Sequence, residues 1–117
     1  MGRLTTHVLD TAHGQPAGGM QFTLNRVDGD RRTPLLVGQT DSDGRCAQPL
    51  LADEAMRPGV YELVFATADY FRRLGVDLPE PPFLDQVSLR FGIADASGHY
   101  HVPLLISPWA YSTYRGS

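Results

Sequence analysis

The sequence predicts an all-β protein, a β-sandwich of about seven short strands with one short helix. Two observations support this fold class. The 12 glycines and 9 prolines interrupt the chain at short intervals, which is typical of all-β domains. Between them lie segments in which apolar and polar residues alternate, the period of a strand that is buried on one face.

The first half of the chain predicts three strands separated by turn sequences. A strand over residues 4–9 is followed by a turn over residues 10–19 that is rich in glycine, proline and alanine. Residues 20–25 alternate strictly and form the second strand. The Asp-Gly pair at 28–29 predicts a hairpin, and the third strand follows at residues 35–40.

The second half adds the helix and the remaining strands. Residues 59–66 alternate again, and residues 68–74 are the one plausible helix, with Gly75 placed where a C-terminal cap is expected. Three prolines within residues 79–82 predict an irregular connection, because proline cannot donate to a sheet. Further strands are predicted over residues 86–93 and 100–106, with a short extended segment at 110–114.

Length and charge restrict the class of protein. The 117 residues predict a single domain spanning residues 1–117. A net charge of −3 argues against nucleic acid as the partner, because a phosphate backbone requires a clustered basic surface. No apolar run approaches the roughly 18 residues needed to cross a bilayer, so no membrane partner is predicted. We therefore expect a soluble protein of the cytoplasm.

The inventory of reactive side chains excludes several chemistries. The chain has no lysine, which excludes a Schiff-base mechanism. Its one cysteine, Cys46, excludes an internal disulfide and a multi-cysteine zinc site. There is no Gly-x-Ser-x-Gly turn for a serine nucleophile. Among enzymatic mechanisms, attack by water with a histidine as the base fits this set of side chains best.

Three of the four histidines lie in or beside predicted strands, where polar and apolar residues alternate. His7 lies in the middle of the first strand and shares a face with Thr5, and the period of two places His99 and His101 together on one face of a later strand. Two imidazoles on one face could act as a general base with its orienting partner, or bind zinc if Cys46 or His7 supplied a third ligand. A polar outer face without chemistry is the third possibility.

Residues 41–45 form an acidic turn followed by an arginine. The segment resembles the start of a calcium loop, but Ala52 stands where the bidentate glutamate of such a loop is required. A simple turn accounts for the acids and for Gly44. It does not account for Arg45, whose planar, permanently charged guanidinium could bind an anionic or carbonyl-rich ligand.

Four segments together resemble a known family. The C-terminal sequences HYHVPLLISP (99–108) and YSTYRGS (111–117) closely resemble the 5-hydroxyisourate hydrolases, which are transthyretin-like enzymes of urate breakdown. The sequences LTTHVLDTAHGQPA (4–17) and TDSDGR (40–45) are similar to that family's first strand and central turn. The terminal Tyr-Arg-Gly-Ser is the most specific part, because it separates the hydrolases from the transthyretin hormone carriers.

The resemblance implies a fold, an assembly and a reaction. It implies a transthyretin-like sandwich of two four-stranded sheets with one short helix. It also implies a homotetramer, a dimer of dimers, with active sites where the dimers meet. The reaction would be hydrolysis of 5-hydroxyisourate to 2-oxo-4-hydroxy-4-carboxy-5-ureidoimidazoline, with no metal or organic cofactor. The positions carried over are His7, Arg45, His101 and Ser117 as catalytic residues, and Tyr114 with His7 and Arg45 as substrate contacts.

The resemblance leaves some features outside the site. It does not carry over His99 or His13 as catalytic residues, and the Trp109-Ala110 pair departs from the aromatic-glycine pair that many members have. The proline-containing stretch over residues 75–85 is longer than in some relatives and lies outside the matched segments. Two alternatives remain at this point: a transthyretin-like carrier of an aromatic ligand, and a zinc-binding β-module using His7, His99 and His101.

Overall fold

The computed structural model describes residues 2–117, and its elements alternate between short strands and turns. The single α-helix of these residues is α1 (Thr67–Arg73), and one 3-10 turn covers Asp53–Ala55. The strands are β1 (Arg3–Asp10), β2 (Gln15–Pro16), β3 (Gln21–Asp28), β4 (Arg31–Gln39), β5 (Leu51–Ala52), β6 (Gly59–Phe65), β7 (Val87–Ile93), β8 (His99–Ile106) and β9 (Tyr111–Thr113).

The strands form two sheets, as the sequence predicts. One has the order β2-β1-β8-β9 and the other the order β4-β3-β6-β7. The two-residue strand β5 adds a fifth member to the first sheet by pairing with the beginning of β1, whereas β2 pairs with its end. The predicted sandwich of two four-stranded sheets is confirmed, with β5 as a short addition.

The pairing of β1 with β8 is parallel and brings the two ends of the chain together. Thr5 lies opposite His101, and His7 lies opposite Pro103 in this register. Parallel strands cannot be joined by a tight hairpin, so a long connection must separate them. Here the connection is almost the whole chain, which places residues of the first strand beside residues nearly a hundred positions later.

Alternation decides which side chains enter the core. In β1, Leu4 and Val8 are fully buried, whereas Thr5 and His7 are only half-buried on the outer face. The largest fully buried side chains are aromatic, namely Tyr61, Phe65, Tyr70 and Phe71, and each contributes roughly 1.5–3 kcal/mol by leaving water. The core therefore holds the two sheets together and leaves the polar face of β1 and β8 free for another role.

Helix α1 is confirmed one residue earlier than predicted. The helix ends at the expected glycine, since Gly75 adopts φ +82°. The amide of Gly75 donates to the carbonyl of Arg72, and the amide of Val76 donates to the carbonyl of Phe71. Buried Tyr70 and Phe71 fix the helix to the core. No helix among residues 2–117 is long and apolar enough to cross a membrane.

Strand β4 begins earlier than the sequence predicts. The Asp-Gly hairpin is present, with Gly29 at φ +57°, and pairing starts at once between Asp28 and Arg31. The prediction began the strand at residue 35, directly after Pro34. Pro34 is tolerated here since β4 is an edge strand of its sheet. The proline-rich residues 79–82 are irregular, as predicted.

Candidate functional site

A polar cavity of about 360 Å³ opens on the outer face of the first sheet, beside the beginnings of β1 and β8. The loop that follows the acidic turn forms one wall, and the last residue of the chain forms another. The side chains that give the cavity its chemistry are Arg3, Thr5, Arg45, Cys46, His99, His101 and Ser117.

The two strands supply a hydroxyl and two imidazoles on one face. His99 and His101 lie on the same side of β8, as their spacing predicts. Because the parallel register sets Thr5 opposite His101, the Oγ1 atom of Thr5 lies 2.8 Å from Nδ1 of His101 and 3.3 Å from Nε2 of His99. Thr5 therefore contacts both rings at hydrogen-bonding distance.

The electrostatic surroundings of His101 favour its neutral form. Partial burial lowers the pKa of the His101 imidazole, and the positive charges of Arg45, His7 and His99 lower it further. An imidazole that is neutral near neutral pH is able to accept a proton from water. His101 is therefore able to act as a base in this cavity.

His7 is held by the acidic turn. Its Nε2 atom lies 2.9 Å from the carbonyl oxygen of Asp43. A carbonyl oxygen only accepts, so Nε2 carries the hydrogen and donates it, which leaves Nδ1 of a neutral His7 as the accepting nitrogen. His7 is the next outward-facing residue of β1 after Thr5, and a positive charge on its ring lowers the pKa of His101.

The acidic turn also directs Arg45 to the cavity. The carboxylate of Asp41 accepts hydrogen bonds from the amides of Asp43 (2.9 Å) and Arg45 (3.1 Å). Gly44 adopts φ +75°, and its carbonyl accepts from the amide of Val8, which ties the turn to β1. The acids of this segment thus stabilise a turn, and that turn presents Arg45.

The last residues pack directly against β8. The amide of Gly116 donates to the carbonyl of His101 at 2.7 Å. A Cβ atom at position 116 would lie only 2.6 Å from Cδ2 of His101, so this approach requires glycine. The close contact brings Ser117 to the wall of the cavity, beside Arg45 and His101.

Tyr114 does not share this cavity within one chain. It is 61% exposed and lines a separate cavity of about 400 Å³, between β7 on one side and β8 and β9 on the other. His13 also lies elsewhere, since its Nδ1 is 2.6 Å from the buried carboxylate of Asp10. Of the five predicted site residues, Arg45, His101 and Ser117 share the cavity, and His7 adjoins it.

Two further side chains of the cavity, Thr5 and Cys46, are not predicted as site residues from the sequence. Thr5 is noticed in the sequence only as a neighbour of His7, because nothing local reveals that it faces His101. Burial, assisted by the charge of Asp41, raises the pKa of the Cys46 thiol, so Cys46 stays protonated near neutral pH and is a poor nucleophile.

The zinc alternative requires three suitable ligands close together. Among residues 2–117, no group of three or more histidine, cysteine, aspartate or glutamate side chains is arranged to hold a metal ion. One ring nitrogen of His99 and one of His101 contact the hydroxyl of Thr5. What the cavity offers is two imidazoles, the fixed positive charges of Arg3 and Arg45, and hydroxyl groups.

The two sheets, the parallel first strand and the short helix define a transthyretin-like β-sandwich with a polar site on its outer face. The chain belongs to the HIUase/Transthyretin family, whose model matches residues 4–116. A 5-hydroxyisourate hydrolase of Pseudomonas aeruginosa is 63% identical over 117 residues, which cover 100% of this chain and 93% of that protein. A 5-hydroxyisourate hydrolase of Ralstonia nicotianae is 60% identical over 100% of both chains.

Solved structures show the same architecture. The structure of (S)-allantoin synthase matches with a TM-score of 0.93 and 44% identity; the match covers 99% of this chain but only 44% of that longer chain. The 5-hydroxyisourate hydrolase of Klebsiella pneumoniae matches with a TM-score of 0.82 and 34% identity over 100% of both chains. Sea bream transthyretin in complex with thyroxine matches with a TM-score of 0.85 and 29% identity, over 97% of this chain and 94% of that chain.

Proposed function

We propose that this chain hydrolyses 5-hydroxyisourate to 2-oxo-4-hydroxy-4-carboxy-5-ureidoimidazoline. The observation that carries the proposal is a neutral imidazole, His101, in one polar cavity with the guanidinium of Arg45. The chain is more similar to relatives named 5-hydroxyisourate hydrolase, at 60–63% identity, than to sea bream transthyretin, at 29%. A carrier of an aromatic ligand has no need of a base and a positive charge in this arrangement.

His101 is the proposed base. Its Nδ1 atom is engaged with Thr5, so Nε2 is the ring nitrogen that remains for water. Water attacks the carbonyl of the six-membered ring as Nε2 takes its proton, and the carbonyl oxygen becomes an oxyanion. When this intermediate collapses, the ring C–N bond breaks and the imidazolium returns the proton to the leaving nitrogen. No metal or organic cofactor takes part in this scheme.

Arg45 stabilises the charge that develops on the oxyanion. Its guanidinium donates in a plane and keeps its charge at every relevant pH, which suits an oxyanion or the neighbouring carbonyls of a flat ring. The same charge lowers the pKa of His101, so Arg45 also keeps the base unprotonated. His7 lies beside this pair and relays protons or binds the ring, and Ser117 positions the ring or the water.

We further propose that the enzyme is a homotetramer, a dimer of dimers, with its sites between the dimers. The cavity lies on an outer sheet face rather than inside the sandwich, so a neighbouring subunit is able to cover it. Tyr114 lines a different cavity of its own chain, and its predicted contact with substrate would then be made across a subunit boundary. The free thiol of Cys46 suits a cytoplasmic enzyme.

A coupled assay tests the activity. Urate oxidase generates 5-hydroxyisourate from urate, and the decay of its absorbance is followed with and without the purified protein. We expect faster decay with the wild-type protein, and a much smaller acceleration with the same concentration of His101→Asn. Decay at the spontaneous rate with the folded wild-type protein would refute the proposal, and binding of an aromatic ligand without turnover would favour a carrier.

A further inference from the structure

The hydroxyl of Thr5 lies between two imidazoles, and the water-activating scheme leaves it and His99 without a role. Oγ1 of Thr5 is 2.8 Å from Nδ1 of His101 and 3.3 Å from Nε2 of His99. Both contacts join β1 to β8, and both lie at the floor of the same cavity. The shorter contact is the one to the proposed base.

A threonine hydroxyl has one hydrogen to donate and two lone pairs with which to accept. It therefore donates to one imidazole at most. If it donates to His101, then Nδ1 of a neutral His101 must be unprotonated and Nε2 must carry the hydrogen. If it accepts from His101, Nδ1 carries the hydrogen and Nε2 presents a lone pair. The direction of this one hydrogen bond fixes which nitrogen of His101 is basic.

We propose that Thr5 is a positioning residue that accepts the Nδ1–H of His101 and donates its own hydrogen to Nε2 of His99. This arrangement leaves Nε2 of His101 as the basic nitrogen, and it rests on the proposed hydrolase function. The reverse arrangement places a hydrogen on the only ring nitrogen that remains for water, so His101 would be unable to act as a base.

The same arrangement serves both protonation states of the base. A protonated His101 carries hydrogens on both nitrogens, so its bond to Thr5 keeps its direction when the ring gains a proton. Neither the Thr5 hydroxyl nor the His101 ring has to rotate during the reaction. Groups that are preorganised in this way avoid reorganisation energy. His99 must be neutral at Nε2 to accept from Thr5.

The strand pairing makes Thr5 suitable for this role. Thr5 and His101 are directly opposed inside two paired strands, so their backbones are fixed relative to each other. The branched side chain of threonine has few rotamers, which limits the directions in which its hydroxyl points. Sites built on strands also hold their geometry better than sites on loops.

Nitrogen NMR of the resting protein tests the tautomer directly. The ¹⁵N shifts of the His101 ring are measured in ligand-free wild-type protein, above the pH at which the ring titrates. We expect the Nδ1–H tautomer, and a population made mainly of the Nε2–H tautomer would overturn the inference. This readout does not depend on turnover. If the coupled assay fails while the Nδ1–H form is found, the hydrolase proposal fails and the positioning of His101 stands.

Substitutions at Thr5 test the consequence for the rate. Thr5→Val keeps the shape but removes the hydroxyl, and we expect kcat to fall roughly 10-fold with little change in KM, the equivalent of one lost hydrogen bond. Thr5→Ser restores the hydroxyl and should recover most of kcat. Thr23→Val makes the same change on the other sheet, away from the cavity, and should leave kcat unchanged. An unchanged kcat in Thr5→Val, or a Thr5→Ser variant as slow as Thr5→Val, would overturn the inference.

Discussion

Gly116 donates its amide hydrogen to the carbonyl oxygen of His101, and the two residues form an isolated bridge outside the regular strands. The approach is so close that the ring of His101 occupies the space where a side chain at 116 would begin. The last residues of the chain and the proposed base therefore hold each other in place.

Gly116→Ala should separate these two residues without unfolding the protein. The added Cβ would lie 2.6 Å from Cδ2 of His101, so either the ring or the terminal segment must move. We expect kcat to fall about 10- to 100-fold, the cost of misplacing a reacting group by roughly 1 Å. Steady-state kinetics and a thermal melt check this. Gly92→Ala is the control, because no atom lies nearer than 4.0 Å to its added Cβ. Equal rates for the two variants would contradict the prediction.

His101→Asn should remove the base and keep the shape of the cavity. We expect kcat to fall by about 10²- to 10⁴-fold, the usual range for loss of a general base, with a smaller effect on KM. His13→Asn makes the same substitution outside the cavity, in the turn after β1 and beside Asp10, and should retain activity. A fully active His101→Asn variant would exclude His101 from the mechanism.

The pH profile should report the lowered pKa of His101. Because burial and neighbouring positive charges favour the neutral ring, the base stays active at pH values where an ordinary imidazole, with a pKa of 6.5, is half protonated. The acid limb of kcat/KM should therefore lie below pH 6.5.

Arg45 variants separate the effect of charge from that of shape. Arg45→Gln removes a positive charge, so the acid limb should move upward and kcat should fall. Arg45→Lys keeps the charge, so the limb should stay in place while the loss of the planar guanidinium still lowers kcat. Normal turnover by Arg45→Lys would show that a positive charge alone suffices.

Because of Tyr70, we expect the folding stability of the protein to decrease at alkaline pH. Burial, and then its hydrogen bond to Asp10, raises the pKa of Tyr70 to about 12 from an ordinary value of 10.0. The unfolded chain releases the phenol proton near pH 10, while the folded chain retains it, so folding stability decreases as the pH rises from about 10 to about 12. Urea unfolding at several pH values in this window measures the effect.

Tyr70→Phe tests the same interaction from the other side. The substitution should cost about 1–3 kcal/mol near neutral pH, because the buried carboxylate of Asp10 loses one of its donors. It should also flatten the decrease in stability above pH 10, since the titrating group is gone. An equally steep decrease in the variant would assign the alkaline effect to another residue.

Activity should depend on assembly. If the cavity is completed by a neighbouring subunit, specific activity decreases on dilution in parallel with the loss of tetramer. Sedimentation or size-exclusion chromatography, measured with activity over the same concentration range, checks this. A stable monomer with full activity would contradict the proposed location of the site.

Local patterns explain how much of this structure could be predicted. Alternation identifies the strands and places His99 and His101 on one face, and Gly75 marks the end of the helix. The early start of β4 is missed; a proline such as Pro34 is tolerated in an edge strand, and only the finished sheet shows that β4 is one. The contact of Thr5 with His101 depends on which strands pair and in what register. Periodicity within a strand contains no information about a partner 96 positions away.

The parallel pairing of β1 with β8 has a consequence for the order of events during synthesis. Thr5 leaves the ribosome 96 residues before His101, an interval of about 5 to 20 s at ordinary elongation rates. Until then one edge of β1 has no partner, and such an edge invites pairing with other chains. Only contacts distant in the chain remove that edge, and contacts of this kind form slowly. The residues proposed for chemistry therefore come together late, after most of the chain that forms the supporting sandwich has been synthesised.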